Sequence, residues 1–170
     1  MSKKDFSFMD VIPVTIASVL FFSQMIIGLF IVDNSKIDFL QYAGILLFIL
    51  SGWIFGMLPV REFRKEGCVM EGKGYMHTTK VVDSGVFSVI CHPQFTTWIL
   101  WAIAAMLVFQ HWLIVVLGIP VIVCSYVDIL RADKRLIERF GEDYKRYMEK
   151  VPRSNFLLGI ICYLRRDKIS

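Results

Sequence analysis

Scarcity narrows the class of this chain before any motif is considered. There are only four cysteines, Cys68, Cys91, Cys124 and Cys162, and no C-x-x-C pair among them. Two fall in or beside apolar segments, which argues for reduced thiols rather than two disulfides. Cys91 and His92 are adjacent, whereas zinc ligands come in fours at spacings of about two to four residues, so no metal site is expected. Charge is also thin, at 20% of residues, and it is absent from residues 11–32 and 39–60. The net charge of +4 is small and dispersed, so nucleic acid is not an expected partner. Finally, no A-x-A-like cleavage site follows the first apolar run, which is too long for a cleavable signal peptide. That run is expected to stay as a membrane span.

What remains is hydrophobic. At 56% apolar residues and a mean hydropathy of +0.58, the chain is too apolar for a soluble domain of its size. The expectation is an all-α polytopic membrane protein, a single membrane domain over residues 1–170. About four transmembrane helices in two hairpins are predicted, followed by cytoplasmic amphipathic helices. The runs 11–32 and 39–60 are each long enough to cross roughly 30 Å of hydrocarbon, with Pro13 in the first turn of the first. Within the second, Gly52 and Gly56 form a G-x-x-x-G match, a pattern that lets helices approach closely but is also common by chance in membrane helices. A third span is predicted over 93–109, a tight turn at Gln110, His111 and Trp112, and a fourth span over 113–130 bent at Pro120.

Four spans put residues 61–92 and the tail 131–170 on the same side as the N-terminus. That side holds 18 of the 19 lysines and arginines, all but Lys36, so the positive-inside rule makes it cytoplasmic. Without targeting signals, the expected location is a prokaryotic plasma membrane. In the tail, Leu130, Ile137, Phe140, Tyr144, Tyr147, Met148 and Val151 recur at helical spacing as an apolar stripe. Gly141 is expected to break that run. Arg135, Arg139, Lys145 and Arg146 suit lipid headgroups. Residues 155–164 are apolar but too short to span, and with Arg165, Arg166 and Lys168 behind them they suit the interface plane.

The stretch most suggestive of chemistry is Asp83 to Phe95, a polar loop running through His92-Pro93 into the third helix. Pro93 fits the first helical position, and His92 is then extended. Alone, His92 would suit a helix-capping or interfacial role. Its neighbours form a compound pattern: Gly85, Phe87, His92-Pro93 and Phe95, then Asp133, Leu136, Phe140-Gly141, Tyr144 and Tyr147. That series resembles the isoprenylcysteine carboxyl methyltransferase family, small multispan enzymes using S-adenosylmethionine, over roughly residues 78–152.

The resemblance implies a membrane-embedded methyltransferase with a cytoplasmic cofactor pocket and a lipophilic acceptor, bearing a carboxylate, thiol or amine, that arrives from among the membrane lipids. It places Lys80, Val82, Gly85, Phe87, His92, Pro93, Phe95, Asp133 and Tyr144 at the cofactor. Backbone groups of residues 80–87 would hold the nucleoside and amino-acid parts, Phe87 and Phe95 would face the sulfonium, and Asp133 would pair the ammonium. Asp133 and Arg131 are the candidate catalytic residues, Arg131 toward an anionic acceptor. Three positions depart from the pattern: Cys91 where arginine precedes His-Pro, Thr97 where glycine is usual, and Ala132 where an acid precedes Asp133. These keep a catalytically degenerate scaffold among the readings. The tail order from Arg131 to Pro152 also looks like the end of NADPH-dependent sterol reductases, which have more spans.

Overall fold

The computed structural model describes residues 8–30, 37–66 and 80–167. Residues 33–36 of the expected link 33–38 between the first two predicted spans, and the glycine-rich stretch 71–79, with Cys68 and Lys168, lie outside them. Among the described residues the regular structure is entirely helical: α1 (Phe8–Phe30), α2 (Asp38–Ser51), a π-helical turn (Gly52–Met57), α3 (Leu58–Glu66), a 3-10 turn (Gly85–Ser88), α4 (Pro93–Phe109), α5 (Trp112–Phe140), α6 (Glu142–Lys150) and α7 (Phe156–Asp167).

Three helical stretches are long and apolar enough to cross a bilayer: Val11–Phe30, Asp38–Lys65 and Trp112–Phe140. Together with the composition they make this an integral membrane protein. The stretch expected as a further span, Pro93–Phe109, is an apolar helix of 17 residues. At 1.5 Å per residue it covers about 25 Å, short of a hydrocarbon core of ~30 Å.

Two boundaries differ from expectation, for the same reason. Residues 61–66 continue as α3 instead of opening a loop, because no chain-breaking residue lies between Pro59, which sits in the first turn of α3, and Gly67. The charged segment after Leu130 is likewise no separate helix. It prolongs α5 to Phe140, since the first breaker is Gly141, whose φ of +60° ends the helix. The last turns of α5, from Arg131 on, are charged and lie beyond its apolar run.

The chain divides into two compact units, residues 1–51 with 98–131, and residues 52–97 with 132–170. In the first, Ala17 and Phe21 of α1 pack with Ala102 of α4 and Val121 of α5. The Trp101 ring stacks on Phe48 at 4.8 Å and its indole N–H donates to the Phe48 carbonyl at 3.1 Å. Gln24, fully buried, donates its amide to the carbonyls of Ala102 (3.3 Å) and Ile114 (3.0 Å), joining α1 to α4 and α5. The α4–α5 turn places Gln110 at φ +47°, and its side-chain amide bonds both the N–H and the carbonyl of Ile37. Large apolar side chains such as Phe22, Ile26 and Phe30 remain exposed, as a surface in contact with lipid tails allows.

Candidate functional site

The second unit carries the site, and its local structure follows from two segments meeting. Pro93 has no N–H to leave unpaired at the start of α4. Just before it, the N–H of Cys91 donates to the Pro152 carbonyl at 2.9 Å and that of His92 to the Arg153 carbonyl at 3.0 Å. The Cys91 thiol donates to the Val151 carbonyl at 3.2 Å. Residues 91–92 and 151–153 are thus clasped backbone to backbone. Upstream, Gly85 opens the 3-10 turn at φ +56°, where an added Cβ would also lie 2.8 Å from the Glu62 side chain. Both constraints favour glycine.

Over this clasp sits a buried polar cluster centred on Asp133. Its Oδ1 lies 2.6 Å from His92 Nε2 and accepts the Tyr144 hydroxyl at 2.9 Å, while its Oδ2 accepts Arg153 Nε at 2.6 Å. An ionised carboxylate only accepts, so the His92 proton is assigned to Nε2, directed at Asp133. Tyr144 Oη and His92 Nε2 are themselves 3.2 Å apart. Burial opposes the charge on Asp133, but hydrogen bonds from His92, Arg153 and Tyr144 outweigh it and hold the carboxyl below its ordinary value. Three donors on one carboxylate leave about one lone-pair position unclaimed.

Around the cluster, Val82, Phe87, Cys91, Tyr144, Tyr147 and Val151 form an apolar core. Tyr147 donates its hydroxyl to the Phe87 carbonyl at 2.6 Å. Burial, assisted by the charge of Asp133, pushes the Cys91 thiol up to about 12. It also raises Tyr144 and Tyr147 well above the usual phenol range. At neutral pH all three are therefore uncharged donors, and Cys91 offers no thiolate nucleophile.

Beside this core is a cavity of about 450 Å³ lined by Lys80, Val81, Asp83, Phe140, Asp143, Arg146, Tyr147, Lys150 and Val151. Carboxylates, cations and two aromatic rings share its wall. Arg146 pairs with Asp143 at 3.2 Å and contributes to this wall.

The sequence-derived candidates are distributed as follows. His92, Asp133 and Tyr144 meet in the polar cluster, and the Phe95 ring lies 6.0 Å from that of His92. Val82 and Phe87 are in the apolar core, Pro93 is buried at the head of α4, and Lys80 is on the cavity wall. Arg131, half-buried at the end of the first unit, is two residues from Asp133 and so about 200° around α5 from it. Thr97 turns its hydroxyl back on the Pro93 carbonyl at 3.1 Å, and a Cβ added at Gly56 would meet its methyl at 3.9 Å, an ordinary contact, so Gly56 is not required there by a close approach. Sequence reasoning missed Arg153. Its only signal is a cation directly after Val151-Pro152, with no periodicity behind it. Asp143 and Lys150 were missed because exposed charges on a short amphipathic helix ordinarily mark a solvated face.

Compared with known proteins, the chain matches the isoprenylcysteine carboxyl methyltransferase (ICMT) family over residues 69–138, and this supports a membrane methyltransferase. No curated protein and no solved structure gives a significant match.

Proposed function

We propose that this chain, whose match supports membership of the isoprenylcysteine carboxyl methyltransferase family, is a methyltransferase using S-adenosylmethionine bound in the cavity beside the Asp133 cluster. The observation that carries this reading is the mixed chemistry of the wall. The cofactor is zwitterionic in its amino-acid part, cationic at sulfur and aromatic at its base. Asp83 and Asp143 suit the ammonium or ribose hydroxyls, Lys80 and Lys150 suit the carboxylate, and the Phe140 and Tyr147 rings suit the base or the sulfonium. The volume falls within the range of small-molecule sites, about 300–1,000 Å³.

When bound, the cofactor supplies an electrophilic methyl group. The chain's own contribution is placement. Asp133, His92, Tyr144 and Arg153 fix segments 91–92 and 151–153, and Tyr147 fixes the 3-10 turn at Phe87, so the residues on the wall are held on a braced frame. Methyl transfer asks for alignment and exclusion of water more than for proton transfer. Neutral Cys91, Tyr144 and Tyr147 accord with that division of labour. The acceptor is lipophilic and reaches the site from the bilayer, and the cofactor enters from the aqueous side that carries this loop and tail, a side whose excess of lysine and arginine supports a cytoplasmic location.

Thermal unfolding of the detergent-purified protein with S-adenosylhomocysteine tests the reading, because a ligand that binds only the folded state raises the midpoint. A rise that is reduced by Asp83→Ala and Lys150→Ala, two exposed wall substitutions, is the expected result. No rise with S-adenosylhomocysteine, together with a rise with NADPH, would overturn it in favour of reductase chemistry.

A further inference from the structure

Helix α7 has two opposed faces. Gly159 is buried so closely against the Val89 carbonyl that an added Cβ would stand 2.0 Å from that oxygen. On the same side the Phe156 ring lies 5.7 Å from Phe55. At 100° per residue, Leu157, Ile161 and Leu164 lie opposite Gly159. They are exposed at 62%, 48% and 55%, with Leu158 and Ile160 exposed on the flanks. This is a continuous apolar stripe that nothing among the described residues covers, ending at an exposed Arg165 followed in sequence by Arg166.

An apolar stripe ending in adjacent arginines fits one kind of partner. A helix lying in the plane of a bilayer buries such a stripe at the acyl boundary and sets its cations among headgroup phosphates. Each basic residue near an anionic surface contributes roughly fivefold in partitioning. The inward face is tied to the site: Val89 stands two residues before Cys91, whose N–H and thiol enter the clasp with residues 151–152. The chain from Pro152 to Phe156 joins that clasp directly to α7. We propose that α7 docks on an anionic lipid surface and that, through the Gly159–Val89 contact, this docking steadies the 89–92 segment. A phospholipid headgroup layer thereby becomes a regulator of the site. The surface itself stands apart from the methyltransferase reading; only its consequence for cofactor affinity rests on that reading.

The test uses the full chain in nanodiscs of phosphatidylcholine alone or mixed with phosphatidylglycerol. Amide hydrogen exchange is followed in peptides covering 156–165 and 86–95, and S-adenosylhomocysteine affinity is measured in the same samples. Expected are several-fold slower exchange in both peptides in the anionic discs and a several-fold tighter affinity. Arg165→Glu with Arg166→Glu should abolish the differences while leaving the fold intact in phosphatidylcholine. Gly159→Val should keep the lipid response of 156–165 and lose that of 86–95. Equal exchange of 156–165 in the two bilayers overturns the docking. A lipid response confined to 156–165 in the unaltered chain overturns the coupling. If both peptides respond but S-adenosylhomocysteine binds in neither bilayer, the docking stands and the cofactor reading falls.

Discussion

The two units hold together by different means. In residues 1–51 with 98–131, contacts are mostly apolar rings and small side chains, with backbone hydrogen bonds kept inside each helix. Lipid tails are as apolar as the packed side chains, so such packing gains little from desolvation and rests on close fit and a few interhelical bonds such as those of Gln24. In residues 52–97 with 132–170 the chain leaves helical structure around residues 81–92 and 151–155, and the backbone groups freed there must find other partners. They find them in each other, in the Cys91 thiol and in the Tyr147 hydroxyl, while a carboxylate with three side-chain donors braces the same segments. The first unit can therefore accommodate many substitutions of similar volume, whereas the second depends on a handful of irreplaceable atoms.

The largest break in this contrast should come at its centre. Asp133→Asn removes the charge that His92, Tyr144 and Arg153 all address, leaving buried donors facing an amide. A loss of about 3 kcal/mol in unfolding free energy is expected, with protection by S-adenosylhomocysteine lost as well. Arg153→Ala, whose side chain is 48% exposed, should cost less, about 1 kcal/mol. Denaturant unfolding in mild detergent reads both. Should Asp133→Asn be no worse than Arg153→Ala, the cluster is not what braces the unit.

Next in size is the alkaline limb of stability. The Cys91 thiol titrates at about 12 in the folded chain against an ordinary 9.0, so its contribution is complete below pH 9 and is lost as pH climbs toward 12. Asp133 works in the opposite sense. Its carboxyl is held below 3.8, so its contribution is present above that value and is lost on acidification beneath it. Thermal midpoints measured across pH should show a plateau between these limits. Cys91→Ala should flatten the alkaline fall and Asp133→Asn the acid one.

The smallest effect is expected in the first unit. Gln24→Leu removes two long-range hydrogen bonds but also a buried side-chain oxygen that has no partner among the described residues. Interhelical bonds of this kind average about 0.6 kcal/mol in membranes, so the net change should stay within about 1 kcal/mol. A cost as large as that at Asp133 would erase the distinction between the units.

What the sequence made legible follows the same division. Helical runs without charge announce themselves through length and composition alone, which is why the starts of the apolar helices could be placed to within a few residues. Their ends were less visible: α3 and α5 ran on because charge by itself does not stop a helix, and only Gly141 did. In the second unit, the resemblance carried by His92, Asp133 and Tyr144 pointed to residues that do meet in space. Their meeting is long-range, across 41 and 52 residues of chain, and no local periodicity encodes it. Arg153 and the carbonyls of 151–153 were illegible for a further reason. Backbone oxygens carry no side-chain signature, and a single cation beside proline resembles any turn.

The clasp between residues 91–92 and 151–153 also sets an order of events during synthesis. Val11–Phe30 and Asp38–Lys65 can enter the membrane as soon as they emerge, each satisfying its own backbone. The Cys91 and His92 amides must wait for about sixty more residues before their acceptors exist. A nascent chain halted short of Val151 would be inserted yet unfinished, with its polar loop open to proteases and chaperones. Translational pausing or premature termination in that interval should thus yield a protein lodged in the membrane without a working pocket.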